Sequence, residues 1–316
     1  MKKIVLYVLI LVLPAVAVFL ALNIAYKQTN HWKAQYYNFD RFNHVPNGIK
    51  LCNVGTSHSC WSFKWEDYPE LNAFNFAVTN QPFFIDLIML KHFESKIEKD
   101  AIVLIPLSFH QVYKYWEEEY SDFYHIVLNK KEYPLWNRET YIRKQLFPLL
   151  EDPNEKLKYI HDDIAKEKID RFHCEERFTK WLSEEQMKKL VDEHGAQWFL
   201  NNFDENAYKK NFDAVCKIVD YCQEHDWKPI FITVPVYNYF FNAFGEIAPY
   251  TKKYFYQFSA DLTEKYPDIP YWDYSHDEEF SPNIELFMDD DHLNVYGAEK
   301  FTARIIQDLR KAGYLE

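Results

Sequence analysis

Apolar positions along the 316-residue chain follow three patterns in turn. The first is an uninterrupted run from Ile4 to Tyr26 without a charge. As a helix it would extend roughly 34 Å, near the thickness of a bilayer's hydrocarbon core. Pro14 lies within it, and membrane helices tolerate such prolines when the freed backbone groups find other partners. Lys2 and Lys3 precede the run while Lys27 and Lys33 follow it, so charge asymmetry alone orients it only weakly. The pattern predicts a transmembrane anchor over 1–27, with the remainder outside the cytoplasm. A cleaved signal peptide is the alternative, although the run exceeds a usual h-region and shows no convincing A-x-A site.

The second pattern is an alternation of short apolar runs with segments of helical spacing. Aromatic and polar residues mix through 28–48, a stalk that ends in the turn Pro46-Asn47-Gly48. Ile49 to Val54 then reads as a buried strand feeding a turn at Gly55. Leu71 to Ala77 contains a second short run, Pro82 to Ile97 has helical spacing, and Ala101 to Leu107 is a strand buried on both faces. After the middle of the chain the alternation resumes. Asn206 to Glu224 is predicted as a helix, Pro229 to Val234 as a strand, Thr251 to Lys265 as a helix, Tyr271 to Tyr274 as a short strand and Val295 to Lys311 as the terminal helix. Such alternation favours a parallel sheet with helices on its faces.

The third pattern occupies about 112–202, where long aromatic and charged stretches include helical spacing over Glu139 to Phe147 and Glu184 to Glu193. It predicts a helical insertion within a single α/β domain spanning 49–316. Its tryptophans, Trp116, Trp136, Trp181 and Trp198, are candidates for a sugar-stacking wall, although aromatic clusters more often form core.

Composition narrows the function classes. The net charge of −12 supplies no basic footprint for a phosphate backbone, so nucleic acid is not an expected partner. Six glycines exclude a fibrous or low-complexity chain. The five cysteines, Cys52, Cys60, Cys174, Cys216 and Cys222, are odd in number and lack zinc-site spacing, so neither a disulfide framework nor a structural metal is indicated. Cys52, in an apolar run, reads as a small buried hydrophobe.

Two segments carry candidate chemistry: Gly55-Thr56-Ser57-His58-Ser59 after the first strand, and Asp289-Asp290-Asp291-His292-Leu293-Asn294 before the last helix. In an open parallel sheet, ligands bind beyond the carboxyl ends of the strands, which is where Ser57 falls. A serine hydroxyl needs a base within hydrogen-bond reach, and that base works best when a carboxylate fixes its tautomer. Asp289 and His292, three residues apart on one turn, can supply both roles, with Asp291 as second choice because it would point elsewhere on the turn. Each segment has a plainer reading alone. Gly-Thr-Ser can be a turn with a helix cap, and the aspartate run can complement a helix dipole or bind calcium. Their joint occurrence at the first and last strand-to-helix junctions favours catalysis.

At this point the chain resembles the SGNH/GDSL hydrolases. Gly55-Thr56-Ser57 is similar to their first block and Asp289-Asp290-Asp291-His292 to their final D-x-x-H block. Phe74 to Gln81 resembles the second block, and Ile105-Pro106-Leu107-Ser108 the third. The likeness spans roughly Ile49 to Ser108 and Pro229 to Leu309. It implies a flavodoxin-like three-layer α/β/α sandwich, no cofactor, a triad of Ser57, His292 and Asp289, and an oxyanion hole from Ser57, Asn80 and Ser108. Three positions depart from the pattern. Asn80 stands where the family usually has glycine, Ser108 where it usually has asparagine, and Thr56 where it usually has aspartate. Loss of one oxyanion donor typically costs about 3 to 4 kcal/mol, so the Asn80 and Ser108 departures bear on activity, although Asn80 can still donate through its backbone N–H or amide and Ser108 through its hydroxyl. His58 and His110 are candidates for lining the substrate pocket, with structural roles the alternative.

The N-terminal run together with Gly-Thr-Ser-His and His-Leu-Asn-x-x-Gly-Ala (His292 to Ala298) is similar to membrane-tethered relatives such as the DltD and AlgJ/AlgX groups. That likeness implies acylation of a cell-surface glycan or polymer, with an acyl-ester or glycan substrate and a membrane-bound O-acyltransferase as partner. A noncatalytic scaffold or glycan-binding partner of such an acyltransferase is the alternative.

Overall fold

The computed structural model describes residues 2–33, 41–113, 121–165, 181–198, 205–240, 242 and 249–316. The chain divides into two compact units, one of Met1–His44 with Tyr120–Cys174 and the other of Val45–Glu119 with Glu175–Glu316. The N-terminal segment and much of the 112–202 stretch thus cluster together.

The larger unit is built on a five-stranded parallel sheet. Its strands are β1 (Ile49–Asn53), β2 (Ala73–Asn75), β3 (Ile97–Pro106), β4 (Lys228–Thr233) and β5 (Tyr271–Asp273), in the order β2-β1-β3-β4-β5. Burial explains the centre. From Ala101 to Pro106 every residue of β3 is buried, as a parallel strand covered by helices on both faces requires. Register then sorts side chains by face. Leu51, Ile102, Leu104, Ile230 and Ile232 share one core with Phe301, Ile305, Ile306 and Leu309 of the terminal helix Val295–Lys311. Cys52, one residue out of phase with Leu51, lies close enough to Cys222 of the helix Glu205–Glu224 for the two thiols to interact. Burial pushes both thiols up, and the four described cysteines, Cys52, Cys60, Cys216 and Cys222, are buried.

This is the flavodoxin-like strand order, in which the chain reverses direction across the sheet between β1 and β3. A crevice forms at that switch point because the segments leaving two neighbouring strands diverge. Ser57 and Ser108 leave those two strands.

One boundary differs from the sequence expectation. The helix over Pro82 to Ile97 is shorter, running Phe83–His92, and a single turn at Glu94–Lys96 leads into a strand that begins at Ile97 rather than Ala101. Pairing decides this. Ile97 sits opposite Ile49, and the register shifts before Leu51 meets Ile102, with Asp100 at φ 66° taking up the irregularity. A polar stretch that looks helical in isolation is therefore drawn into the sheet by its partner strand.

In the smaller unit a helix runs Lys2–Tyr26. Asn23, the polar exception near its end, donates to Phe19 O (2.8 Å) and accepts from Leu149 N (3.0 Å). Tyr26 and Trp32 pack with Ile160 of the helix Pro153–Ala165. Among the described residues no helix is long and apolar enough to cross a membrane, so the expected span is not found there. The side chains of 2–11, the first part of that run, lie outside the described residues. The insertion is helical over Ser121–Val127, Pro153–Ala165 and Glu184–Trp198, with wider and tighter turns over Tyr141–Leu146 and Pro148–Leu150. Trp136 neighbours His125 and Tyr141 in the smaller unit, Trp181 is exposed in the larger, and Trp116 and the side chain of Trp198 lie outside the described residues.

Candidate active site

Local chemistry explains how Ser57 reaches the carboxyl edge of the sheet. Beyond β1, Gly55 turns the chain at φ 115°, a conformation open to glycine and costly for other residues. A Cβ there would also press to 3.0 Å from the Cβ of Ser59. Ser57 opens the short helix Ser57–Ser62, so its N–H has no carbonyl of that helix to reach. Asn53 and Ser59 fasten that helix to the strand behind it. Asn53 Nδ2 donates to Ser59 Oγ (2.8 Å) and to Asn75 Oδ1 (2.8 Å), Asn53 Oδ1 accepts from Trp65 Nε1 (2.7 Å), and Ser59 Oγ donates to Val54 O (2.6 Å).

The His292 loop is held with comparable completeness. Phe287 and Leu293 form an antiparallel bridge, and Met288 N donates to His292 O (3.0 Å). Asn294 caps the terminal helix through Tyr296 N and Gly297 N (3.0 Å each) while its amide donates to Glu285 O (2.6 Å). Gly297 is required by contact: a Cβ would lie 2.2 Å from Leu286 O. The His-Leu-Asn-x-x-Gly pattern is thus the means of docking this loop onto the helix it precedes.

Between these two anchored segments, His292 Nε2 lies 2.8 Å from Ser57 Oγ. On the far side of the ring, Nδ1 faces Asp289 (2.9 Å to Oδ1, 3.1 Å to Oδ2) and Asp291 Oδ1 (2.8 Å). Two carboxylates on Nδ1 hold a proton there, so that in the neutral ring Nε2 is the acceptor toward the serine hydroxyl. Asp289 Oδ1 also takes the backbone N–H of His292 (2.8 Å) and of Asp291 (3.3 Å), so it shapes the turn as well as meeting the ring.

Asp291 does not point elsewhere, contrary to the sequence expectation. Its Oδ2 lies 2.9 Å from His58 Nε2, and His58 stacks on His292 with ring centroids 4.6 Å apart and planes 15° apart. One carboxylate thus bridges two stacked imidazoles. The reason is the bridge between Phe287 and Leu293, which folds the acidic run back so that Asp289 and Asp291 both reach the ring. Burial pulls the His292 pKa down, but the charges of Asp289 and Asp291 prevail and hold it well above the usual histidine value. Burial opposes ionisation of Asp291, yet its two imidazole neighbours hold its carboxyl well below the usual range.

The positions expected to supply oxyanion donors are less fully engaged. Asn80 adopts φ 59°, a left-handed conformation that glycine takes easily, and it is half-buried. Asparagine is among the few residues that enter this region readily. Val78 N donates to Gly55 O (3.1 Å), tying the Asn80 loop to the Ser57 turn. Ser108 is buried beyond β3, and among the described residues neither its hydroxyl nor that of Thr56 has a hydrogen-bond partner. His58 is buried against Asp291 and His292. His110 lies on the helix Phe109–Tyr113, and its side chain is outside the described residues.

Residue patterns did not single out Asp86, which sits fully buried on the helix Phe83–His92 and accepts from Gly55 N (2.9 Å). A lone acid within Phe83-Phe84-Ile85-Asp86-Leu87-Ile88 was the available signal. The only clusters of histidine, cysteine and acidic groups close enough to share a cation, among the described residues, are His58 with Asp291 and His292, and Asp289 with Asp290 and Asp291. Both belong to the histidine–carboxylate arrangement itself.

No family model and no curated protein matches the chain. Similar solved structures include a protein from Bacteroides fragilis named as an acylhydrolase, at 13% identity, 88% coverage of this chain, 96% of that one and a TM-score of 0.42. A GDSL-like lipase from Bacteroides thetaiotaomicron shares 11% identity, with 88% and 98% of the two chains covered and a TM-score of 0.42. A protein from Streptococcus pneumonia named as a platelet activating factor shares 11% identity, with 93% and 99% covered and a TM-score of 0.41. Likenesses of this degree concern the path of the chain, and the chemical reading rests on the site's own geometry.

Proposed function

We propose that the protein is a serine hydrolase or acyltransferase of the SGNH/GDSL type, acting on acyl esters through a Ser57 acyl-enzyme. The observation that carries this reading is the 2.8 Å approach of Ser57 Oγ to a histidine whose other nitrogen is held by two carboxylates. In the proposed reaction Ser57 Oγ attacks the ester carbonyl carbon as its proton passes to His292 Nε2. The developing imidazolium is stabilised by Asp289 and Asp291. Negative charge on the carbonyl oxygen is met by the Ser57 N–H, by Asn80 and by the Ser108 hydroxyl. The proton on Nε2 is then given to the departing alcohol as its C–O bond breaks; a water or a sugar hydroxyl attacks the acyl carbon with His292 again as base, and the Ser57 ester bond breaks as Nε2 returns the proton to Ser57 Oγ.

A glycan or other cell-surface polymer as acceptor, a membrane-bound O-acyltransferase as partner and an extracytoplasmic location are parts of the same proposal. They are motivated by the apolar run after Lys2 and Lys3 and by the likeness to membrane-tethered family members. Fractionation of cells, with protease added outside, tests the location.

The purified protein should release nitrophenol from a short-chain nitrophenyl ester, and Ser57 should be labelled by a fluorophosphonate. Undiminished turnover in Ser57→Ala would eliminate the mechanism. A second reading is favoured by the Asn80 and Ser108 substitutions: a noncatalytic partner of an acyltransferase that keeps the fold. It predicts a folded protein in which Ser57 resists the fluorophosphonate.

A further inference from the structure

Asp86 lies outside the proposed reaction, yet among the described residues it is the carboxylate that joins the Gly55 turn to the Gln81 loop. Its Oδ1 accepts from Gly55 N (2.9 Å), two residues before Ser57, and from Gln81 Nε2 (2.6 Å), one residue after Asn80. Gln81 is itself held, donating to Phe76 O (3.1 Å) and accepting at its backbone carbonyl from Gln111 Nε2 (2.9 Å), whose own carbonyl accepts from Asn211 Nδ2 (2.8 Å). A single oxygen atom therefore ties the nucleophile turn to the loop expected to carry an oxyanion donor. The second carboxylate oxygen, Oδ2, is buried without a hydrogen-bond partner among the described residues.

This is a costly way to hold a turn. Asparagine would present the same acceptor oxygen without a charge, and burying an ionised carboxylate with one oxygen unmatched is strongly disfavoured. Costly, over-determined arrangements of this kind concentrate where geometry serves function. An ionised acceptor makes shorter hydrogen bonds that are roughly twice as strong as neutral ones.

We propose that Asp86 is a positioning residue: when ionised, it clamps Gly55 to Gln81 and so sets Ser57 against the Asn80 loop, and protonation loosens the clamp. The proposal rests on the reading of Ser57 as nucleophile. Burial pushes the Asp86 carboxyl up to about 7, against the opposing pull of the Gln81 amide and the Gly55 N–H. Those two groups are what face its oxygens from the neighbouring loops, and no charged side chain contributes to the shift. The clamp would therefore switch close to neutrality.

The chain contains six glycines, and Gly55 alone follows a valine, Val54. Full-length protein with carbonyl-labelled valine and amide-labelled glycine thus gives one identified signal for the Gly55 N–H. The expected result is a shift of that signal with an inflection near pH 7 in the wild type and none in Asp86→Asn. In parallel, the acid limb of log kcat/KM should carry, beyond the His292 limb, an additional drop of about one log unit centred near pH 7 in the wild type, and that step should be absent in Asp86→Asn. At pH 8 Asp86→Asn should lower kcat about tenfold with KM nearly unchanged, a split that a merely structural role would not produce. A Gly55 signal that stays flat from about pH 5 to about pH 9 in the wild type overturns the proposal, and that measurement needs no variant to fold. If Ser57 is neither labelled nor active while Gly55 titrates, the clamp stands and the nucleophile reading falls.

Discussion

The base and the expected oxyanion donors around Ser57 are built to different standards of completeness. On the base side, both nitrogens of His292 are engaged, Asp289 caps the turn that carries the ring, and Asp291 bridges it to His58. In the Ser57 turn, on the helix Phe83–His92 and beyond β3, three buried polar atoms, Thr56 Oγ1, Asp86 Oδ2 and Ser108 Oγ, have no hydrogen-bond partner among the described residues. Native interiors leave few such groups, and those they leave call for an explanation. The contrast fits the proposed chemistry. A base must be oriented before reaction begins, whereas an oxyanion donor stabilises charge that exists only in the transition state. Asp86 is a separate case, since it accepts hydrogen bonds and its unmatched oxygen is the cost of the proposed clamp.

Breaking the base side should have the largest effect. Ser57→Ala or His292→Ala should each lower kcat about 10^5-fold or more, and the double variant little further, because the two act as a unit. Ester turnover and fluorophosphonate labelling check both. Among the expected oxyanion donors, Ser108→Ala should lower kcat on the order of 10^2-fold with KM little changed, as removal of one oxyanion donor does. An unchanged kcat would take Ser108 out of that role and weaken the contrast.

The paired carboxylates sharpen the comparison more finely. Either Asp289→Asn or Asp291→Asn leaves one carboxylate on Nδ1, so each should cost only about tenfold in kcat/KM, with a much larger loss when both are changed. The sign with pH follows from the raised His292 pKa. His292 accepts a proton only when neutral, so activity rises as pH rises through that pKa. Asp291→Asn removes one charge that raises it, and the acid limb of kcat/KM should move to lower pH.

The smallest expected effect is on stability. The Asp86 pKa is raised in the folded chain, so its contribution is fully present below the unfolded value near 4 and is lost as pH rises through about 7. Asp86→Asn should therefore gain stability relative to the wild type between pH 5 and pH 8, by on the order of 2 kcal/mol, measured by thermal melting at the two pH values. A constant difference would remove the buried charge from the account of the oxyanion side.

Local patterning made most of the larger unit legible. Ile49 to Val54, Pro229 to Val234 and Val295 to Lys311 read correctly because near-continuous apolar runs and helical spacing record burial directly. The start of β3 was hidden, since nothing in Ile97 to Asp100 announces a strand until Ile49 is beside it. In the site, Ser57, Asp289 and His292 could be named because turn, nucleophile, base and carboxylate types stand together in short segments. Asp291 was assigned too small a part, because which way an aspartate faces depends on a bridge between Phe287 and Leu293 that forms only when the loop docks. Asp86 was missed because its partners, Gly55 and Gln81, are 31 and 5 residues away.

The sequence by itself determined the alternation of strands and helices, the residue types able to do acyl chemistry, and their placement at strand ends. These follow from local periodicity and side-chain chemistry, which act over a few residues. Only the tertiary structure decided that β1 and β3 lie side by side, that Ser57 meets His292 across 235 residues, that two carboxylates share one imidazole, and that a buried aspartate ties the nucleophile turn to its neighbour. Those are contacts between distant segments, whose geometry is set by how the sheet and its helices pack.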